Sequence, residues 1–299
     1  GLQQRLQGDE AQRLLPRRGG VIRNWGRTFL CQPQLVAAPR DLDDLAAAVA
    51  LGLREGKRIR VMGAGLTWSS FCATDDMLIF SAHLDRVEVD LSVPARPAVW
   101  AECGASNRVI NAALRQEGLQ LPWNVVLENV TIGGTTTMGT HGSGRDTSCM
   151  GDLVEAFEVI DARGQRRVLS DETLGAEGMA AARLSLGLFG VIARVRLRVE
   201  AACLVEQRDE LLPFDEALAR AEALVAERDS VELYWAPLTD QIWLRSFTRT
   251  QKERTFAQHG LLFGLRNLAE MLVYTNLQRL IARFAPRLLP GLLRLGYRA

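Results

Sequence analysis

The chain has 299 residues, a length that suits about two domains, and its 47% hydrophobic and 24% charged content can build a core and excludes a disordered tail. Lys+Arg number 36 against 35 Asp+Glu, a net charge of +1, so no global positive field is available to gather nucleic acid. Five scattered cysteines without a CxxC, and three distant histidines (His83, His141, His259), suggest neither a disulfide framework nor a metal site and fit a reducing, cytoplasmic setting.

Residues 1–22 read as an N-terminal extension; Gly1–Gly20 is polar and basic, which argues against a secretory signal. Asp41–Arg54 is the first strong helix: Asp41 suits the N-cap, Leu42, Leu45, Val49 and Leu53 share a face, and Gly56 stops it. Arg58–Met62, Met77–Phe80, Val87–Asp90 and Ala98–Glu102 read as strands, and Ser106 caps a second helix ending before Gly118. Pro122–Gly151 has no helix or clear strand. Glu155–Asp161 turns through Ala162-Arg163-Gly164 into Gln165–Leu169. Val191–Val199 alternates, with Val195, Leu197 and Val199 inward and Arg194, Arg196 and Arg198 outward, and so predicts a half-exposed strand. Near Ala201 the character changes, which predicts a domain boundary. Phe214–Glu227 reads as a helix, Val231–Ala236 with Gln241–Phe247 as a hairpin, and Leu261–Arg298 as helical with breaks at Pro286 and Pro290. Leu261–Tyr274 is too short and too charged to span a bilayer.

Two loops carry the chemistry. In the first, Met62-Gly63-Ala64-Gly65-Leu66-Thr67-Trp68 follows a strand, and its glycines let backbone N–H groups approach an anion. In the second, Thr131–Gly144 offers five glycines, many hydroxyls and one imidazole. Two such loops in one domain suit a diphosphate that joins two halves of a cofactor. A Rossmann fingerprint is excluded because Gly65 is not followed by x-x-Gly, and a Walker A loop because no Gly-Lys-Ser/Thr occurs.

Five stretches together resemble one family: Asn24-Trp25-Gly26-Arg27 with Pro33; Arg58–Ser70; Gly133-Gly134 with Gly139-Thr140-His141-Gly142-Ser143-Gly144; Ser185–Ile192; and Val231–Asp240. Their order and spacing are similar to those of the vanillyl-alcohol-oxidase (PCMH-type) flavoproteins, in the aldonolactone and alditol oxidase branch. The resemblance implies an α+β fold: a two-subdomain FAD-binding domain over 23–200, then the start of an α+β substrate (cap) domain over 201–299. It implies FAD held by Met62, Gly63, Ala64, Gly65, Leu66, Thr67, Trp68, Gly133, Gly134, Thr135, Gly139, Thr140, His141 and Ser143. Gly190 and Ile192 would lie on the adenine side. The diphosphate would rest on amides of Gly63, Ala64, Gly65, Gly134 and Gly139 and on hydroxyls of Thr67 and Thr140. The implied reaction is oxidation of a CH–OH group of a sugar-derived lactone or polyol, with hydride passing to flavin N5.

Two departures from the family pattern shape the expectations. Leu66 stands where many members carry the histidine that links FAD, so FAD is expected to be non-covalent. The substrate domain of the family continues beyond the elements present here, so the catalytic base is not assigned, and a partner chain supplying the remainder is one expectation. Two alternatives stay open: an FAD-binding or catalytically degenerate subunit, and a dehydrogenase passing electrons to a quinone or another non-oxygen acceptor.

Among single residues, Thr135 is a candidate flavin or substrate contact, against a plain loop hydroxyl. His141 is expected to hydrogen-bond structurally or beside the flavin rather than act as a base. His83 and His259 are expected at the surface, Tyr234 and Trp235 in the substrate-domain core, and Asp152 in a turn. The basic, apolar stretch 261–298 is expected to pack on protein, with peripheral contact to an anionic membrane as the alternative.

Overall fold

A computed structural model of the chain describes residues 20–235, 239–252, 276–289 and 291–292. The chain divides into two compact units, 1–142 with 147–202 and 143–146 with 203–299.

In the first unit, β1 (Leu35–Ala37), α1 (Leu42–Arg54), β2 (Ile59–Met62) and β3 (Met77–Phe80) build a parallel sheet in the order β1-β3-β2. Helix α1 starts where the sequence predicts, because the Asp41 carboxylate accepts from the amides of Asp43 (3.0 Å) and Asp44 (2.8 Å). It buries Leu45, Ala48 and Val49 and gives way to Gly56 at φ +61°.

β4 (Val87–Asp90), β5 (Ala98–Glu102), α2 (Asn107–Gln116), β6 (Val154–Ile160), β7 (Arg166–Ser170), α3 (Asp171–Ala182) and β8 (Val191–Arg198) complete this unit. The strands form an antiparallel sheet in the order β7-β6-β8-β5-β4. Its main core gathers Ile110, Leu114, Ile132, Met150, Phe157, Val195 and Leu197. A second cluster joins α1 and the parallel sheet to Cys103, Ile160 and Ala193 of the antiparallel one.

β8 is the central strand, and it alternates as the sequence predicts: Val195, Leu197 and the following Val199 are buried, Arg194 and Arg196 are partly exposed and Arg198 is exposed. On its outward face the arginines find partners: Arg194 donates to Glu158 (2.7 Å), and Arg196 donates to Glu155 (3.0 Å) and to Asp90. Arg194 also lies 4.8 Å from the ring centre of Trp100. Three carboxylates and an indole thus partner the outward, partly exposed face of this strand. Pro122–Gly151 is also not bare: Ile132–Thr135 makes one helical turn and Met150–Leu153 a 3-10 turn.

The second unit pairs β9 (Leu204–Pro213), β11 (Gln241–Thr250) and β10 (Ser230–Trp235) in the order β9-β11-β10, all antiparallel, with α4 (Phe214–Glu227) on one face. Leu212, Ala217, Leu224, Ile242 and Leu244 form its core. Tyr234 and Trp235 do not fill that core: they are 38% and 52% exposed. Their strand ends at an edge of the sheet, and Trp235 leans on Phe214 with ring centres 5.5 Å apart.

Of the tail, 276–284 is helical and Pro286–Leu288 forms a 3-10 turn. Residues 1–19, 236–238, 253–275, 290 and 293–299, with Ala236, His259 and Pro290 among them, lie outside the described residues. Among the described residues no helix is long and apolar enough to cross a membrane.

Candidate FAD-binding site

The first loop springs from β2 and is fixed from outside by the segment beginning at Asn24. Asn24, 3% exposed, donates from Nδ2 to the Thr67 carbonyl (2.8 Å) and to Thr28 Oγ1 (2.7 Å). Its Oδ1 accepts from the amides of Thr28 (2.9 Å) and Phe29 (3.3 Å), and the Trp25 amide donates to Gly65 O at 2.9 Å. Trp25 and Trp68 face each other at 5.9 Å. The Thr67 hydroxyl is turned to Ser69, 3.1 Å from its Oγ.

Inside this frame the backbone amides of Gly63, Ala64, Gly65 and Leu66 donate to no group among the described residues. Successive amides left without acceptors form a concave donor array suited to an anion. Gly65 sits at φ +67°, the left-handed conformation that such a turn requires. Gly63 is glycine for a different reason. A Cβ there would lie 1.9 Å from Thr131 Oγ1, so the two loops touch at this point.

The second loop begins at Thr131. Gly133 is locked under Cys103: its amide donates to Cys103 O at 3.0 Å and a Cβ would sit 2.9 Å from the Cys103 Cβ. Cys103 is 3% exposed, and burial pushes its thiol up to about 12. The Gly134 amide is not available as the sequence reading assumed, because it closes a turn on Thr131 O at 3.1 Å. Yet a Cβ at Gly134 would meet nothing nearer than Thr131 Oγ1 at 3.9 Å, and its φ is not positive. Neither packing nor backbone strain accounts for this glycine, which leaves room for a ligand's close approach.

Thr135, 4% exposed, donates to Ile132 O (3.2 Å), and Thr136 and Thr137 likewise turn back onto Ile132 and Gly133 carbonyls. These hydroxyls stabilise the turn beneath the loop. Gly139 has φ +67°, and Thr140 O accepts from the Met150 amide at 2.7 Å. The exposed His141 has Nδ1 2.9 Å from Gly142 O.

Ser143 groups with the second unit. The chain passes into the second unit at Ser143 and returns after Asp146. There Ser143 Oγ donates to Glu232 Oε1 at 2.9 Å and lies 2.6 Å from Ser230 Oγ. Arg145 caps the end of α4 by donating to the carbonyls of Val225 (3.2 Å) and Ala226 (2.8 Å). Nothing in the loop's composition signals this crossing.

Gly190, at φ +127°, packs against Ile160 O, where a Cβ would stand 2.5 Å away; Ile192 touches both cores of the first unit. Beside Gly190 opens a cleft of about 620 Å³ bounded by Leu53, Ile160, Leu188 and Phe189. A groove of about 710 Å³ elsewhere in this unit is lined by Arg86, Trp100, Glu102 and Arg194 and contains none of the glycine-loop residues.

A parallel three-stranded sheet joined to an antiparallel five-stranded one, with two touching glycine loops, is the architecture of a PCMH-type FAD-binding domain. Residues 33–170 match the family described as FAD binding domain. The chain is 27% identical over 282 residues to an L-gulonolactone oxidase of Scyliorhinus torazame, covering 93% of this chain and 62% of that protein. It is 27% identical over 230 residues to an L-gulono-1,4-lactone dehydrogenase of Mycobacterium tuberculosis (77% of this chain, 52% of that one), and 26% over 248 residues to a D-arabinono-1,4-lactone oxidase of Candida glabrata (82% and 47%). It therefore spans about half to three-fifths of these relatives. Cholesterol oxidase from B. sterolicum shares the fold, with a TM-score of 0.78 at 18% identity over 94% of this chain and 57% of that one.

Proposed function

We propose that the chain holds FAD non-covalently and belongs to an oxidoreductase that takes hydride from a CH–OH group of a sugar-derived 1,4-lactone or related polyol. The observation that carries this reading is the run of four acceptor-free amides at Gly63–Leu66, with Gly63 set against Thr131, and a Gly134 in the adjoining loop that no packing demand explains. Neutral donors in that number hold a diphosphate without any lysine, in keeping with the near-zero net charge. The names of the relatives supply the substrate class.

When bound, FAD supplies the hydride acceptor. The residues of this chain do the rest of the binding work. Gly63, Ala64, Gly65 and Leu66 would donate to the diphosphate oxygens, and Asn24 holds the loop in the shape that presents them. Thr135, Thr136 and Thr137 lock the turn behind the second loop. Leu66 offers no atom for a covalent link.

Anaerobic addition of L-gulono-1,4-lactone or D-arabinono-1,4-lactone to the FAD-loaded chain is expected to bleach the flavin bands; absence of bleaching by any lactone or polyol favours a binding-subunit role. After acid precipitation the yellow colour is expected in the supernatant. Colour held in the pellet contradicts the non-covalent assignment.

A further inference from the structure

The sheet of the second unit has two unlike faces. Along β11, Ile242 and Leu244 pack into the core under α4, while Trp243, Arg245 and Phe247 point to the other side. Strand register sets Asp209, Arg245 and Glu232 abreast on that second face, with Leu211, Trp243 and Tyr234 in the next row. The polar row is already ordered. Arg245 Nε donates to Asp209 at 2.9 Å, Tyr234 OH donates to Glu232 Oε2 at 2.6 Å, and Ser143 Oγ donates to Glu232 Oε1 at 2.9 Å. Arg245 lies 4.3 Å from the ring centre of Trp243, and the Tyr234 ring 5.3 Å from it.

The Glu232 carboxylate is therefore fixed from both ends, and each oxygen keeps a further lone pair for a hydroxyl donor. Arg245 spends Nε on Asp209, and its Nη groups donate to no group among the described residues. The Arg245 and Asp209 side chains are 27% and 39% exposed, so the row is reachable by a small molecule. The hydrogen bond to Glu232 raises the Tyr234 phenol and keeps it a donor through the neutral range. A prearranged carboxylate beside a guanidinium and an aromatic ring answers one ligand chemistry: several neighbouring hydroxyls, a carbonyl oxygen and a C–H surface. Ser143 ties the row to the glycine loop by chain continuity, since it follows Gly142 directly.

We propose that this sheet face, centred on Glu232 and set by Ser143 and Tyr234, recognises the hydroxyl groups of a polyhydroxylated 1,4-lactone, which makes Glu232 a specificity-determining residue. This rests on the sugar-lactone reading above. Glu232 oxygens accept from the ligand hydroxyls, Arg245 donates to its carbonyl oxygen, and Tyr234 borders its ring.

The test is ligand-observed NMR at millimolar concentrations of L-gulono-1,4-lactone and of γ-butyrolactone, which has the same ring without hydroxyls, with FAD uptake measured in parallel. The wild-type chain is expected to prefer the hydroxylated lactone by about tenfold or more, in line with hydrogen bonds to a charged acceptor. Glu232→Gln should cut that preference by about tenfold without altering FAD uptake. Tyr234→Phe, at an exposed position, should reduce it less and guards against a folding defect in the first variant. A preference unchanged in both variants, or absent from the wild type, overturns the proposal. Lactone preference without FAD uptake contradicts the flavoprotein reading but upholds this one, and FAD uptake without lactone preference does the reverse.

Discussion

The side-chain amide of Asn24 reaches 43 positions along the chain to donate to the Thr67 carbonyl at 2.8 Å. It makes three further hydrogen bonds at once, and so uses its donors and acceptor to pin the loop that carries Gly63–Leu66. Asn24→Ala removes four hydrogen bonds made by a buried side chain to partly exposed partners, each worth about 0.5–1.5 kcal/mol. Because the amide array then loses its shape, FAD affinity should fall by about tenfold or more, read from flavin fluorescence. Wild-type affinity in this variant would remove Asn24 from the account.

The glycines of the two loops separate packing from ligand contact. Gly63→Ala drives a methyl group to 1.9 Å from Thr131 Oγ1, so thermal unfolding should show a loss of about 1–3 kcal/mol. Gly134→Ala meets no neighbour within 3.9 Å and should unfold like the wild type. Its FAD affinity should nevertheless drop by about tenfold, because the methyl enters the space kept for the cofactor. Unchanged affinity would show that the open side of Gly134 faces solvent only.

Arg196 holds the Asp90 carboxyl well below the usual carboxylate range, with help from the Ser92 hydroxyl and amide. A depressed value in the folded state adds stability above the unfolded pKa of about 3.9, and this is lost as pH falls through the folded value. The melting temperature of the wild type should therefore decline below about pH 4. Asp90→Asn should melt lower at pH 7 and decline less steeply in acid. Parallel pH profiles for the two proteins would show that the pair is screened by solvent.

Cys103 reports on the second loop. Its thiol is pushed up to about 12, first by burial and then by the neighbouring Glu102, and it lies directly under Gly133. Iodoacetamide at pH 8 should leave Cys103 unmodified in the native chain and label it only on unfolding. Rapid native labelling, followed by peptide mass spectrometry, would mean that the loop opens readily.

Much of the frame was legible because its signals are local. Asp41 and Ser106 cap α1 and α2, and Gly56, Gly118 and Gly164 take positive φ at the ends and turns where the sequence places them. What escaped depends on distant partners or on broken periodicity. Alternation places the arginines of β8 outward, but their partners Glu155, Glu158 and Asp90 come from other strands and leave no local mark. β9 carries charges on both faces, so no alternation marks it, and α3 has Gly175 at φ +70° within its span, which breaks the helical pattern. At the site, composition located both loops but could not say which amides remain unpaired. The turn bond of Gly134 and the departure of Ser143 into the second unit are tertiary facts.

Backbone amide NMR of the chain during FAD addition tests the central claim most directly. Large shifts are expected at Gly63, Ala64, Gly65 and Leu66, with saturation as FAD binds. Binding of FAD that leaves those four amides unmoved, or no binding at all, would contradict it.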